Sequence, residues 1–337
     1  MDLWRDKVVL LFYKDFEQDT FVKNDRYLKR LARPLYRLFT KRQKVSGFYV
    51  WYQLLVTALR RAGYDVRCND YRTARRNPEY PVGLVGYPHI VDDWNLPNPA
   101  VLGPSMYDHP ADNFDLMKDE RYRYYIVTCD WMRKLFTPIY GSKCVAWHAG
   151  MDTDNWLETK AETKTFDFLI YDKIRWNRDI YEPGLLEPIR AKLDSLGLSH
   201  QTVRYGFYDH QIYKKHLAES RSLIFLCEHE TQGMAYQEAL ASNLPVLAWD
   251  NGFWLDPRRP DYDPDPVRAT SVPYFSDQCG ETFRDFEEFE ITLPSFQEKL
   301  SKYRPRDFVV EALSMDESAK TYLKYYALAG EQSSRSA

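Results

Sequence analysis

The sequence predicts an α/β protein made of two successive βα domains. Three observations carry that expectation. Short apolar runs alternate with longer stretches of helical periodicity, the pattern of parallel sheets covered by helices. The rhythm breaks in a polar stretch at 158–165 and restarts at Phe166. The length, 337 residues, is more than one hydrophobic core of ordinary size holds.

In the first half, the runs that read as strands lie at 8–13, 65–69, 82–86, 100–102, 125–128 and 144–147. A helix is expected over 48–62. Trp51, Leu54, Leu55, Ala58 and Leu59 share one face at helical spacing, and Gly63 suits the left-handed position that closes a helix. In the second half, strands are expected at 166–171, 201–205, 222–227 and 246–249, with helices over about 185–195 and from Gly233 onward. Residues 256–278, DPRRPDYDPDPVRATSVPYFSDQ, are dense in Pro and Asp and read as a loop. A final helix is expected near 316–328, and GEQSSRSA from Gly330 reads as a disordered tail. The division is therefore 1–157, 158–312, a last helix within 313–329 and a tail over 330–337. A cleft between two such domains is the natural ligand site.

Composition excludes several classes. With 44% hydrophobic and 28% charged residues the chain is an ordinary globular one. A net charge of −3 gives no signal for nucleic acid. No apolar run reaches the ~20 residues of a membrane span. The start, MDLWRDKVVLLFYKD, carries acids and no small-residue cleavage site, so no signal peptide is read. Five cysteines without a CxxC pair suggest reduced thiols in a cytoplasmic protein, and no Cys/His cluster has the spacing of a zinc site. No GxGxxG follows the first strand, which disfavours a nicotinamide-dependent dehydrogenase.

The stretch SLIFLCEHETQGMAYQEALASNLPVLAWD, 222–250, runs from one strand through a helix start to the next strand. It carries Glu230 and Glu238 with Gly233 between them. A helix start offers unpaired N–H groups and a positive dipole end, and a glycine lets an anion approach. A carboxylate accepts hydrogen bonds from neighbouring hydroxyls. Two carboxylates flanking an anion site match a nucleotide sugar, which has hydroxyls on both sides of a diphosphate. The alternative is a solvated cap and a surface helix residue.

E-x7-E followed by EALASNLPVLAWDNG resembles the donor-binding signature of retaining GT-B glycosyltransferases of the group-1, or family-4, type. Glu230, Gly233, Glu238, Ala239, Ala241, Pro245 and Val246 match; Asn243 stands where the family has Gly, and Gln232 where it has Gly or a small residue. Three further segments follow in the family's order. HAGMDTDNW, 148–156, resembles the end of the first domain, and FLIYDKIRWNRD, 168–179, the opening of the second. Tyr205-Gly206 before SLIFLCEHE resembles the strand–loop–strand that holds the base and sugar. In FLIYDKIRWNRD, Arg178 replaces the family's Lys and Asp172 its Gly.

The resemblance implies a GT-B fold: two Rossmann-like domains facing across a cleft, with a C-terminal helix crossing back. It implies a donor site formed by Lys173, Arg178, Glu230, Thr231, Gln232, Gly233, Met234 and Glu238, with Arg175 an equally placed substitute cation. Lys173 and Arg178 would neutralise the leaving diphosphate without a metal, and no cofactor is implied. On the acceptor side it implies a glycine loop, here Ser46 and Gly47, and a histidine, either His109 beside Asp108 or His89, near Asp92. The catalytic candidates are His109, Asp108 and Glu230; no protein nucleophile is nominated. The activity implied is sugar transfer from a UDP- or GDP-linked donor to a saccharide or lipid-linked acceptor in polysaccharide biosynthesis. The rivals are a catalytically silent nucleotide- or sugar-binding protein and a GT-B epimerase. A phosphorylase would need a pyridoxal-phosphate lysine in a suitable segment, and none stands out.

Residues 14–44 hold ten cations and four anions, the anions all in the front half, interleaved with Leu28, Leu31, Leu35, Leu38 and Phe39. This is the pattern of a helix lying on an anionic membrane, or of one packing an apolar stripe on its own domain.

Overall fold

The computed structural model describes residues 7–14, 47–159 and 164–334. The chain divides into two compact units. The described residues up to Ile126, Ser142–Val145 and the chain from Ala319 form the first; Val127–Gly141 and Ala146–Ser318 form the second.

The first unit carries six strands: β1 (Val8–Lys14), β2 (Asp65–Cys68), β3 (Val82–Gly86), β4 (Ala100–Leu102), β5 (Tyr122–Val127) and β6 (Cys144–Ala146). Their order is β2-β1-β3-β4-β5-β6, with parallel pairing between β1 and each of β2 and β3, and on through β4 to β5. The first five residues of β1 are buried, as a strand covered on both faces requires. The helix Gly47–Arg61 buries Tyr52, Leu55, Val56, Ala58 and Leu59. Trp51 and Leu54 of the expected face are only half-buried. Gly63 closes that helix at φ 82°. The final helix, Met315–Ser334, supplies its later residues to this unit. The Tyr326 hydroxyl accepts from Leu10 N (2.9 Å) and donates to Pro81 O (2.6 Å). A Cβ on Gly83 would lie 2.1 Å from the Tyr322 hydroxyl, so glycine there lets the helix close on β3.

The second unit carries β7 (Phe166–Lys173), β8 (His200–Arg204), β9 (Ser220–Cys227), β10 (Val246–Trp249) and β11 (Gly280–Phe283), in the order β11-β10-β9-β7-β8 and wholly parallel. Counted along the chain, this repeats the order of the first five strands of the first sheet. Alternate residues of each strand enter opposite cores. Leu169, Tyr171, Leu223 and Phe225 join one with Tyr236, Ala239 and Leu240; Phe168, Ile170, Ile224 and Leu226 join the other with Ile189, Leu193, Phe289 and Phe296. Both sheets are thus of the doubly wound, Rossmann-like kind.

Some expectations need correction. β11 and the helices Phe286–Lys299 and Pro305–Ala312 were not foreseen. β11 is four residues long, GETF, and its polar middle shows no apolar run. The loop at 256–278 includes one helical turn, Arg259–Tyr262. The last helix continues to Ser334, so 330–334 of the expected tail are helical; 335–337 lie outside the described residues. Ser46 and all of the basic stretch except Lys14 lie outside them too. No described helix is long and apolar enough to cross a membrane.

Candidate functional site

The two glutamates stand at the topological switch point of the second sheet. β7 and β9 are parallel neighbours, and Lys173 is aligned with Cys227 at their carboxyl ends. The loops that leave them, 174–177 and 228–233, therefore emerge side by side. In doubly wound sheets this is where ligands bind.

Glu228 ties the loops together. Its buried carboxylate accepts from Arg175 N (2.7 Å) and Trp176 N (2.8 Å). Lys173 and Glu230 form an ion pair with side chains 13% and 11% exposed. Burial is the largest single influence and works against the lysine's charge, but the Glu230 carboxylate and the neighbouring Cys227 together outweigh it and hold the Lys173 pKa above its ordinary value. The ammonium also lies 4.6 Å from the centre of the Tyr205 ring. Arg175 lies over Trp176 at 4.0 Å and donates to His229 O (3.0 Å).

Arg178 has other partners. It grips Asp172 with two bonds (3.0 and 2.6 Å) and donates to Glu182 (2.9 Å). Asp172 and Arg178 are two of the positions at which this segment departs from the family pattern, and they bond to each other. Gln232 is a third departure with a local use. It is 1% exposed and bonds both ways with the backbone of Ala149 (3.0 and 2.7 Å). Asn243, in the family's glycine position, takes the left-handed angle at φ 61°.

Gly233 is left-handed at φ 80°, and a Cβ there would meet Tyr236 Cε1 at 2.1 Å. It opens the helix Met234–Ala241, whose first turn has no side-chain cap. Thr231 and Met234 are half-buried. Glu238 lies about one turn in, within electrostatic reach of Tyr208 and Tyr213. Among the described residues no group hydrogen-bonds its carboxylate, and burial raises its pKa well above the ordinary range. A half-buried carboxylate without a donor suits a ligand that brings hydroxyls.

Two buried histidines of this unit were not singled out as site residues from the sequence. His229 stacks on Trp176 (5.3 Å, 11°) and meets Trp131 and Trp254 edge-on; its Nδ1 has no hydrogen-bond partner among the described residues. Burial, then the Arg175 charge, lowers its pKa to about 3. His148, next to the Gln232–Ala149 pair, is lowered to about 4 by burial. Both rings are neutral near pH 7.

The acceptor-side candidates belong to the first unit. His109 is buried and caps a short 3-10 turn, its Nδ1 accepting from Ala111 N (3.1 Å) and its own N–H donating to Asp112 (3.2 Å). Asp108 is exposed. His89 opens the turn His89–Asp92 and stacks on Tyr87 at 6.0 Å. Gly47 is the first residue of its helix. Among the described residues no group of three or more His, Cys, Asp or Glu could hold a metal.

No sequence-family model and no curated protein matches the chain. Solved structures do. AviGT4, a glycosyltransferase involved in avilamycin A biosynthesis, is similar at 10% identity and TM-score 0.51, over 96% of this chain and 98% of that one. The lipopolysaccharide outer core galactosyltransferase WaaB follows at 9% identity and TM-score 0.48, over 96% and 99%. The pneumococcal O-GlcNAc transferase GtfA is similar at 13% and 0.46 over 75% of this chain, which spans only 57% of its length. The fold class is thus the GT-B one, two Rossmann-like parallel sheets with helices, as its glycosyltransferase neighbours have.

Proposed function

We propose that this chain is a retaining glycosyltransferase that moves a sugar from a UDP- or GDP-linked donor to an acceptor hydroxyl without a metal. The observation that carries the reading is the company around the β7/β9 switch point. Lys173 and Arg175 leave one strand end. An uncapped helix start opened by left-handed Gly233 leaves the other, with Glu238 lacking a donor one turn in. Cations and N–H groups suit a diphosphate, and the carboxylates suit hydroxyls. When the bond from the sugar's anomeric carbon to the diphosphate breaks, its electron pair goes to the phosphate oxygen. Lys173 and Arg175 would neutralise that charge. Glu230 keeps Lys173 charged and in place before the donor arrives. Arg178, engaged by Asp172 and Glu182, positions the 174–177 loop. His109 with Asp108, or else His89, is assigned to the acceptor side.

The test is a thermal-shift panel of nucleotides and nucleotide sugars, since a ligand at 100 times its Kd stabilises by about 2.7 kcal/mol. No shift with any nucleoside diphosphate would overturn the reading. Activity that vanishes in EDTA and returns with Mg²⁺ would overturn metal independence. The pairing of Glu230 with Lys173, and of Arg178 with Asp172 and Glu182, favours one rival, a silent nucleotide-sugar-binding protein; release of nucleotide from a bound donor separates the two. For residues 14–44 a membrane contact is proposed, worth about 1 kcal/mol per cation near an anionic surface. Sedimentation with anionic vesicles that fails at low salt would remove it.

A further inference from the structure

Beside the glutamate loop the second unit holds a cavity of about 320 Å³, near the lower end of small-molecule sites at about 300–1,000 Å³. Trp131, Lys134 and Leu135 of the helix Asp130–Tyr140 form one wall, and 267–270 of the Pro/Asp-rich insertion form the other. Both walls are bonded to Glu230. Trp131 Nε1 donates to Glu230 O (2.8 Å), and Glu230 N donates to Thr270 O (3.0 Å). The cavity is therefore fixed next to the proposed donor site, on which the following inference rests.

Its lining has two chemistries. The indole N–H of Trp131 is already engaged, so the ring offers apolar surface, which suits the C–H face of a sugar. Arg268 is exposed, lies over the Phe253 ring at 4.2 Å and has no acidic partner among the described residues. Lys134 is 73% exposed and shares Asp130 with Arg133. Two nearby carboxylates are engaged: Asp250 accepts from the hydroxyl of the lining residue Thr270 (2.6 Å) and from Ser271 N (3.2 Å), and Asp256 from Arg258 (2.9 Å). A stacking ring beside an unneutralised guanidinium selects a ring with a negative charge.

We infer that this cavity receives a saccharide carrying a phosphate or carboxylate. Its ring rests on Trp131, and its anion is held by Arg268 with help from Lys134. Calorimetric titration of the full chain with glucose 6-phosphate, glucuronate and glucose tests it. The anionic sugars are expected to bind at least about tenfold tighter than glucose, and the preference is expected to weaken with salt. Arg268→Gln should remove the preference, and Arg268→Lys should keep part of it. Phosphatidylinositol vesicles present a ring through a lipid phosphate. Arg268-dependent binding to them, but not to the free sugars, would place the same anionic ring on a lipid. Equal affinity for all three free sugars without vesicle binding, or a preference that survives Arg268→Gln, would overturn the inference. UDP and GDP titrated into the same samples read the donor site separately. Nucleotide binding without anion preference sinks this inference alone, and its absence sinks the transferase reading as well.

Discussion

Removing Lys173 separates a structural ion pair from a functional one. Lys173→Met leaves the Glu230 carboxylate 11% exposed without its cation. Breaking a buried pair from one side costs about 3–5 kcal/mol, and this pair retains some solvent, so a loss of about 3 kcal/mol is expected. Glu230→Gln in addition removes the stranded charge, and the double variant should return to within about 1 kcal/mol of the parent protein. Nucleotide binding should not return with it. Losing a charged hydrogen bond to a diphosphate costs about 1.5–3 kcal/mol, roughly ten- to 150-fold in Kd. Urea midpoints of the parent, both single variants and the double variant give the stability cycle, and UDP or GDP titrations of the same four give the affinity cycle. A double variant that binds nucleotide as tightly as the parent protein would show that the pair only holds two loops together. The switch-point assignment would then fail.

Glu238→Gln should cut transfer or nucleotide-sugar binding by roughly ten- to hundredfold and leave the urea midpoint unchanged or higher, because the fold disfavours that carboxylate's charge. Full activity would remove Glu238 from the site. Acid should destabilise the second unit through His148 and His229, whose folded pKa values of about 4 and about 3 lie below the ordinary 6.5. The unfolded chain binds the extra protons, so stability is complete above about pH 6.5 and falls as pH drops toward 4 and then 3, by about 3 kcal/mol for His148 at full effect. Glu238 acts with the opposite sign, its penalty easing as pH falls toward its ordinary value. The comparison of His148→Gln with the parent protein is therefore cleanest in Glu238→Gln, where a flatter pH dependence of the urea midpoint is expected. In the first unit, Tyr326→Phe strands Leu10 N–H and Pro81 C=O and should cost about 1–3 kcal/mol; an unchanged midpoint would mean that water replaces the hydroxyl.

The alternation of apolar runs with helical periodicity was enough to determine two βα units, because strands buried on both faces must be apolar along their length. That is why β1, β3, β4 and β10 were legible almost to the residue, while the short polar edge strand β11 was not. The spacing of Glu230, Gly233 and Glu238 was equally local, since a strand end and a helix start are set by neighbours in the chain. The partners of the cations were not local. Lys173 and Arg178 have the right spacing in the sequence, yet Arg178 turns to Asp172 and Glu182, and Arg175 lies over Trp176 beside the 228–233 loop. The register of β7 against β9 brings residue 173 to residue 227, and only that register could decide which charges meet. The same holds for His229 and His148, whose protonation depends on burial under rings and strands remote in sequence. Sequence patterns report the period of a chain and its local turns; the pairing and desolvation of its charges come from the strands that tertiary packing sets side by side.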